Sequence, residues 1–139
     1  MNLIKLSASE ALRMMEVGSL SSEEYVKAFL KQIELREDNV GAWIFLDPKL
    51  ALEQAREADK KWKDKRVGNL NGLPIGIKDI IDTKDMPTEN GSLLCKNRQP
   101  LNDAHLVKLL RDEGAVIMGK CVTTEFALSG PGKTKNPRD

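Results

Sequence analysis

Cysteine and histidine are both scarce in this chain of 139 residues. The sequence has two cysteines, Cys95 and Cys121, and a single histidine, His105. Two isolated cysteines are too few for a disulfide framework and lack the CxxC spacing of zinc sites. His105 has neither a second histidine nor a thiol partner close in sequence, which leaves a Cys/His nucleophile pair without support. We therefore expect a cytoplasmic protein that uses no metal ion and no other cofactor.

The chain also lacks long apolar runs and blocks of one charge. Lys and Arg together number 22, Asp and Glu together number 21, and the two signs are interspersed. Nucleic acids and membrane surfaces bind proteins through a concentrated basic face, which this pattern does not predict. The opening MNLIKLSASE has no apolar stretch long enough for a signal peptide or a membrane span. The composition predicts a soluble protein that binds neither nucleic acid nor membrane.

Helix-start signals are frequent. Two segments begin with a serine followed three residues later by a glutamate, which is the spacing of a capping box. The pairs are Ser7 with Glu10 and Ser21 with Glu24. A third helix is predicted after Asp47 and Pro48, and a fourth after Asn102 or Asp103 with Gly114 as its stop.

Three short apolar runs are typical of strands. They span residues 42–47, 73–82 and 115–118, and the last two have the nearly continuous apolar composition of strands covered on both faces. Strands alternating with helices predict an α/β sandwich with a largely parallel sheet. We expect one domain over residues 1–139, with N-terminal helices over 1–40 and a strand and helix core over 41–139.

Lys78 interrupts the second apolar run, LPIGIKDIID. A lysine in such a strand either extends its ammonium group to solvent or is held where desolvation lowers its pKa. The second arrangement is how a lysine becomes a base near neutral pH. The local pattern leaves both interpretations open.

Two longer segments resemble the amidase signature family of serine hydrolases. They are LNGLPIGIKDIIDTKDMPTENGS and DAHLVKLLRDEGAVIMGKCVTTEFALSGPGKTKNPRD, which together run from about residue 70 to residue 139. The shared features are the Gly-Leu-Pro-x-x-x-Lys-Asp strand, the Met-Pro-Thr loop ending in Gly-Ser, the Gly-Ala-x-x-x-Gly-Lys strand, the Glu-Phe-Ala segment and the closing Asn-Pro. The resemblance implies hydrolysis of carbon–nitrogen amide bonds by a nucleophilic serine, a second serine and a bridging lysine. Lys78 matches that lysine, and Phe126 and Ala127 match positions beside the substrate pocket.

The family's Gly- and Ser-rich segment, which carries both serines, follows the Asn-Pro and is not among these 139 residues. Ser92 and Ser129 belong to other motifs and do not replace it. We therefore expect a truncated amidase-like protein that is inactive alone, because the nucleophile and its oxyanion donors are missing. The alternative is a binding or regulatory module that docks with a complementary amidase fragment.

The family's sheet is large and mixed, so the resemblance implies a partial α/β/α sandwich with about three strands of a mixed, largely parallel sheet. A partial sheet predicts association. At least one strand that the whole fold would make interior becomes an edge with unpaired backbone groups. We expect a homo-oligomer that forms through the exposed sheet edge or face.

The segment ALSGPGKT, residues 127–134, offers a further alternative because it fits a permissive form of the phosphate-loop pattern. A phosphate loop would make the chain a nucleotide-binding protein, but it needs a helix to open at Lys133 and Thr134. Pro137 follows closely and biases Asn136 away from helix, which argues against nucleotide binding.

Overall fold

The computed structural model describes residues 2–64, 67–128 and 130–138. These residues form α-helices α1 (Ala8–Glu16), α2 (Ser22–Val40), α3 (Pro48–Lys63) and α4 (His105–Asp112), strands β1 (Trp43–Leu46), β2 (Pro74–Lys78) and β3 (Val116–Cys121), and short 3-10 turns at Leu3–Lys5, Leu93–Cys95 and Glu125–Ala127. Within the same ranges, no helix has the length and apolar composition needed to span a bilayer.

The caps of the first three helices confirm the sequence predictions. Complete capping boxes open α1 and α2, and Asp47 caps α3 with Pro48 in its first turn. The fourth helix also forms and ends before Gly114, but the predicted cap, Asn102 or Asp103, was wrong, because the cap residue is Ala104 and makes no side-chain cap bond. The Asp103 carboxylate instead accepts a hydrogen bond from the Lys84 amide at 2.9 Å and pairs with Arg111 at 3.1 Å.

The three strands form one mixed sheet in the order β1-β3-β2. β2 runs parallel to β3, whereas β1 runs antiparallel to it. The central position of β3 explains why its residues Val116 to Lys120 are all buried. β1 and β2 are the two edges of this sheet, as the predicted partial sheet requires.

Apolar clusters cover both faces of the sheet. One face packs against α2 and α3 and the other against α4 and the loop that precedes it, so the architecture is the predicted α/β/α sandwich. The first cluster is Val26, Ala51, Ala55, Val116 and Met118. The second is Ile77, Met86, Val107 and Ile117.

A bulge in β3 changes which side chains share a face. Ile75 of β2 pairs with Ile117, but the next residue, Gly76, pairs with Gly119, so β3 carries one extra residue at this point. Ile117 and Lys120 are three residues apart and would lie on opposite faces of a regular strand. Because of the bulge, Lys120 pairs with Ile77 and lies on the face that Ile117 also occupies.

A contact between α2 and α3 gives a testable expectation for the fold. The Asp59 carboxylate on α3 accepts hydrogen bonds from the amides of Ser22 at 2.6 Å and Glu23 at 3.1 Å in the first turn of α2. Asp59→Ala should lower the free energy of unfolding by about 1–2 kcal/mol, measured by urea denaturation, because it removes an acceptor from a helix N-terminus. Glu57→Ala on the same helix is the control, since Glu57 is exposed and its pair with Lys60 is a surface pair. Equal losses in the two variants would contradict the assigned role.

Candidate functional site

Lys78 is the last residue of β2, at the carboxyl end of the parallel pair. Its register partner is Cys121, the last residue of β3, so both strands end at the same edge of the sheet. Open α/β sheets place their ligand sites at this edge. The Lys78 side chain is exposed. In this chain, therefore, the lysine extends to solvent, as one of the two sequence interpretations predicted.

The buried lysine of the structure is Lys120, on β3. Its side chain is 0% exposed. The ammonium group donates hydrogen bonds to the carbonyl oxygens of Ile81 at 2.9 Å and Pro87 at 3.2 Å and to the Thr88 hydroxyl. It also lies 3.4 Å from Oδ1 of Asp79, which is buried as well. Three oxygen acceptors and one carboxylate thus surround the three protons of the ammonium group.

Burial and charge act on Lys120 in opposite directions. Desolvation lowers the pKa of the ammonium group, while the charge and hydrogen bond of Asp79 raise it, and the net direction is downward. The four oxygen partners nevertheless favour the protonated form, because an ammonium group offers them three N–H donors and a neutral amine only two. We therefore describe Lys120 and Asp79 as a buried ion pair.

The post-strand loop, residues 79–92, folds back on the ends of β2 and β3. The Asp79 amide donates to the Cys121 carbonyl at 2.9 Å, and the Asp79 carbonyl accepts from the Asn90 amide at 2.9 Å. The Asp79 carboxylate also accepts from the Glu89 amide at 3.2 Å. The residue that follows Lys78 is therefore fixed through its amide, its carbonyl and its side chain.

Two arginine–aspartate pairs hold the neighbouring segments. Arg98 donates from two different nitrogens to the two carboxylate oxygens of Asp82, at 2.6 and 2.8 Å, which is a bidentate pair. Arg111 donates to Asp85 through a single nitrogen, which lies 2.6 and 2.8 Å from the two carboxylate oxygens. The hydrogen bond from Arg98 lowers the pKa of the Asp82 carboxyl group. Bidentate geometry of this kind fixes orientation as well as distance.

Phe126 and Ala127 lie in a strained turn after β3. Their φ angles are 47° and 57°, in the left-handed region that residues with a Cβ atom rarely adopt. The Phe126 amide donates to the Asn90 carbonyl at 2.8 Å, and Ser92 Oγ donates to the Glu125 carboxylate at 2.6 Å. These bonds tie the strained turn to the post-strand loop. Phe126 and Ala127 are both exposed, and they lie at the same end of the sheet as Lys78.

An indole ring covers the sheet beside Lys78. A Cβ atom at Gly76 would lie 2.7 Å from Cys121 Sγ and 2.9 Å from the Trp43 ring, and one at Gly119 would lie 3.2 Å from the same ring. Glycine at position 76 therefore leaves room for the Trp43 ring, and glycine at position 119 leaves room for the Phe45 carbonyl group of β1. Burial in this packing raises the pKa of the Cys121 thiol, so Cys121 is a weak nucleophile at neutral pH.

The described residues of the segment 127–134 lack the geometry of a phosphate loop. Ser129 lies outside the described residues, and residues 130–138 contain no helix. Thr134 Oγ1 donates to the Gly41 carbonyl at 2.8 Å, and the Lys135 amide donates to the Val40 carbonyl at 2.8 Å. The segment therefore lies against the end of α2, and residues 130–138 offer no helix N-terminus to receive a phosphate group.

Lys120 is the residue of this region to which the sequence analysis gave no role. Its one signal was its position at the end of a continuous apolar run, as the lysine of the Gly-Ala-x-x-x-Gly-Lys segment. A burial argument of the kind applied to Lys78 would have found it. The bulge that turns Lys120 toward Asp79 has no signature in the sequence.

These features define an α/β protein with a polar site at the carboxyl edge of its parallel strands. A model of the Amidase family matches residues 24–139. The chain therefore belongs to the amidase family.

Sequence relatives of the chain include subunits of glutamyl-tRNA(Gln) amidotransferases. A glutamyl-tRNA(Gln) amidotransferase subunit from Dehalococcoides mccartyi is 34% identical over 142 residues, and its counterpart from Thermobifida fusca is 37% identical over 144 residues. The alignments cover 98% and 99% of this chain but 29% of each relative. This chain thus spans less than a third of the length of these relatives.

Solved structures agree on the fold. Native peptide amidase from Stenotrophomonas maltophilia superposes with a TM-score of 0.82 at 35% identity, over 88% of this chain and 26% of that one. Fatty acid amide hydrolase gives a TM-score of 0.85 at 28% identity, over 97% of this chain and 25% of that one.

Chemical labelling tests the placement of the two lysines. We expect an amine acetylating reagent to modify Lys78 readily and Lys120 only after unfolding. The Lys78 side chain is exposed, whereas the Lys120 side chain is buried and its ammonium protons are in hydrogen bonds. The acetylated fraction of each lysine is measured by peptide mass spectrometry with and without urea. Lys108, an exposed lysine on α4, is the internal control. Equal labelling of Lys120 and Lys108 in the folded protein would contradict the structure.

Proposed function

We propose that this chain supplies the lysine base of a serine amidase, which hydrolyses carbon–nitrogen amide bonds, and that it is inactive without the rest of the fold. The observation that carries the proposal is the position of Lys78. It ends β2 at the carboxyl edge of the sheet, within the segment that matches the amidase family. A catalytic lysine at this edge would meet a substrate and a serine that approach from outside the sheet.

The lack of a serine nucleophile among these residues supports inactivity of the chain alone. The Gly- and Ser-rich segment that the resemblance implies is not among the 139 residues. Ser92 does not replace it, because its hydroxyl is buried, donates to Glu125 and accepts from the Leu94 amide at 3.3 Å. A hydroxyl engaged in this way is not available to Lys78 as a nucleophile.

Exposure of Lys78 supports the same conclusion. A lysine accepts a proton only as the neutral amine, which desolvation favours. In this chain the side chain is in water. A covering segment would exclude that water and bring the hydrogen-bond partners that the base needs. We infer that Phe126 and Ala127 border the substrate pocket that such a segment completes.

An apolar surface around the site supports docking of another polypeptide. Leu93 and Leu94 are each 87% exposed and Leu128 is 81% exposed. Leu93 and Leu94 follow Ser92, whose bond to Glu125 joins their segment to the turn that precedes Leu128. Large exposed apolar side chains grouped in this way are typical of a surface that another segment covers. We infer that the occupant is a complementary amidase polypeptide, or a second copy of this chain when that polypeptide is absent.

Reconstitution tests the activity. The purified chain should release no ammonia from glutamine, a peptide amide or a fatty acyl amide. Mixing it with a polypeptide that carries the remaining part of the Stenotrophomonas peptide amidase should produce ammonia release from one of these amides. Lys78→Ala should reduce that activity by about 10²- to 10⁴-fold, the usual contribution of a general base.

Lys108→Ala is the matched control and should leave the reconstituted rate unchanged, because Lys108 is exposed on α4, outside the site. Turnover by the 139-residue chain alone that disappears in Lys78→Ala would overturn the claim of inactivity. A mixture that binds without hydrolysing any amide would favour a regulatory module over an enzyme segment.

Self-association provides a second test. Multi-angle light scattering should show a mass above that of the monomer, because the apolar surface and the β2 edge have no cover within the described part of one copy. Replacing Leu93 and Leu94 together by serine should shift the mass toward the monomer. Val17→Ser is the control, since Val17 is similarly exposed but lies at the end of α1. A monodisperse monomer at high concentration would refute the oligomer.

A further inference from the structure

Lys120 and Asp79 form a buried ion pair that the proposed reaction does not use. Taking two charges out of water is costly, and such a pair is retained only where geometry and additional hydrogen bonds compensate. Lys120 meets this condition through Ile81, Pro87 and Thr88, and Asp79 meets it through the Glu89 amide. An apolar pair of similar volume would complete the core at lower cost, so stability alone does not account for the charges.

The position of Asp79 suggests what the pair does. Asp79 follows Lys78 directly, and neighbouring residues of an extended chain point to opposite faces. Accordingly, Lys78 is exposed and Asp79 is buried. If β2 slipped by one residue, the alternation would exchange the two side chains and turn the Lys78 ammonium toward the buried Lys120 ammonium. The ion pair thus favours the correct register and the like-charge contact disfavours the wrong one.

We propose that Lys120 is a positioning residue for Lys78: by pairing with Asp79 it sets the register at the end of β2 and directs Lys78 toward the substrate edge. The proposal rests on the proposed function in that Lys78 is the base. Lys120 touches no substrate in this scheme and acts through Asp79.

Through its other contacts, Lys120 would also position the turn at Phe126, which we place beside the substrate pocket. Its bonds to Ile81, Pro87 and Thr88 join the first residues of the post-strand loop to its middle part. The same loop presents the Asn90 carbonyl, which accepts from the Phe126 amide at 2.8 Å. Loss of Lys120 would therefore loosen both Lys78 and the strained turn at Phe126, whose left-handed backbone persists only while its surroundings hold it.

Hydrogen exchange on the chain alone tests the positioning role. The probes are the amides of Asp79 and Asn90, which donate to the Cys121 carbonyl and to the Asp79 carbonyl. The reference is the Val116 amide, which donates to the Leu73 carbonyl at the other end of the sheet. In Lys120→Met we expect exchange at the two probes to accelerate about 100-fold relative to Val116, because one partner of a buried pair is lost.

Three further variants sharpen the result. Asp79→Asn keeps the shape of the side chain and an acceptor for Glu89, so it tests the pair even if Lys120→Met fails to fold. In the double variant that combines Lys120→Met with Asp79→Asn, the probe amides should exchange about as fast as in the faster single variant. Both changes remove the same interaction, so their effects should not add. Lys108→Met removes a lysine from an exposed position and should leave all three amides unchanged.

The reconstituted enzyme adds a second readout, kcat per mole of assembled complex, which a loss of folded protein does not lower. Lys120→Met and Asp79→Asn should each lower kcat by about 10- to 100-fold with KM nearly unchanged, since a misplaced base slows the chemical step. Uniform acceleration of exchange at Asp79, Asn90 and Val116 would overturn the proposal and leave Lys120 a core residue. If the wild-type mixture shows no activity, the proposed function fails, while the exchange experiment on the chain still decides the role of Lys120.

Discussion

The parallel pairing of β2 with β3 is the constraint on which the rest of the structure depends. A parallel pair needs a crossover, and α4 with the segments before and after it provides one that packs Val107 against Ile77 and Ile117. The crossover brings the ends of both strands to one edge, so that Lys78 lies opposite Cys121. The post-strand loop and the turn at Phe126 then start from the same edge and meet through the Asn90 carbonyl. The candidate site is a direct consequence of this pairing.

Local signals in the sequence were sufficient to predict where the helices of the N-terminal half begin. A capping box needs only Ser21 and Glu24, three residues apart, and the first turn of α2 forms it as predicted. The same reasoning was wrong for α4, because Asp103 is recruited by Arg111 and by the Lys84 amide. A side chain that has a choice between a local cap and a distant cation is assigned by the tertiary structure. Caps are therefore predictable where no such competitor lies nearby.

For the residues of the candidate site, the place in the chain was predictable from the sequence, but the surroundings of each side chain were not. The position of Lys78 at the end of an apolar strand followed from the pattern LPIGIK, whereas its exposure depends on what covers the edge of the sheet. Lys120 shows the opposite case. An apolar run precedes it, as one precedes Lys78, but a bulge directs its side chain into the protein interior. The strained backbone at Phe126 and Ala127 was not predictable either, because bonds from a distant loop hold it. Periodicity identifies a strand, but bulges and covering segments decide which of its residues meet water.

The two lysines separate two requirements of a catalytic base. A base must be held in the correct direction, and it must be removed from water so that the neutral amine is accessible. Under the role proposed for Lys78, the described residues would meet the first requirement, since Asp79, fixed by Lys120, Cys121, Glu89 and Asn90, holds the backbone beside Lys78. They do not meet the second, because Lys78 is exposed. A segment that completes this edge would therefore need to supply dehydration and the nucleophile, but not orientation. Such a division suits a site assembled from separate parts of a fold, because the geometry is set before the parts meet and water leaves only when they do.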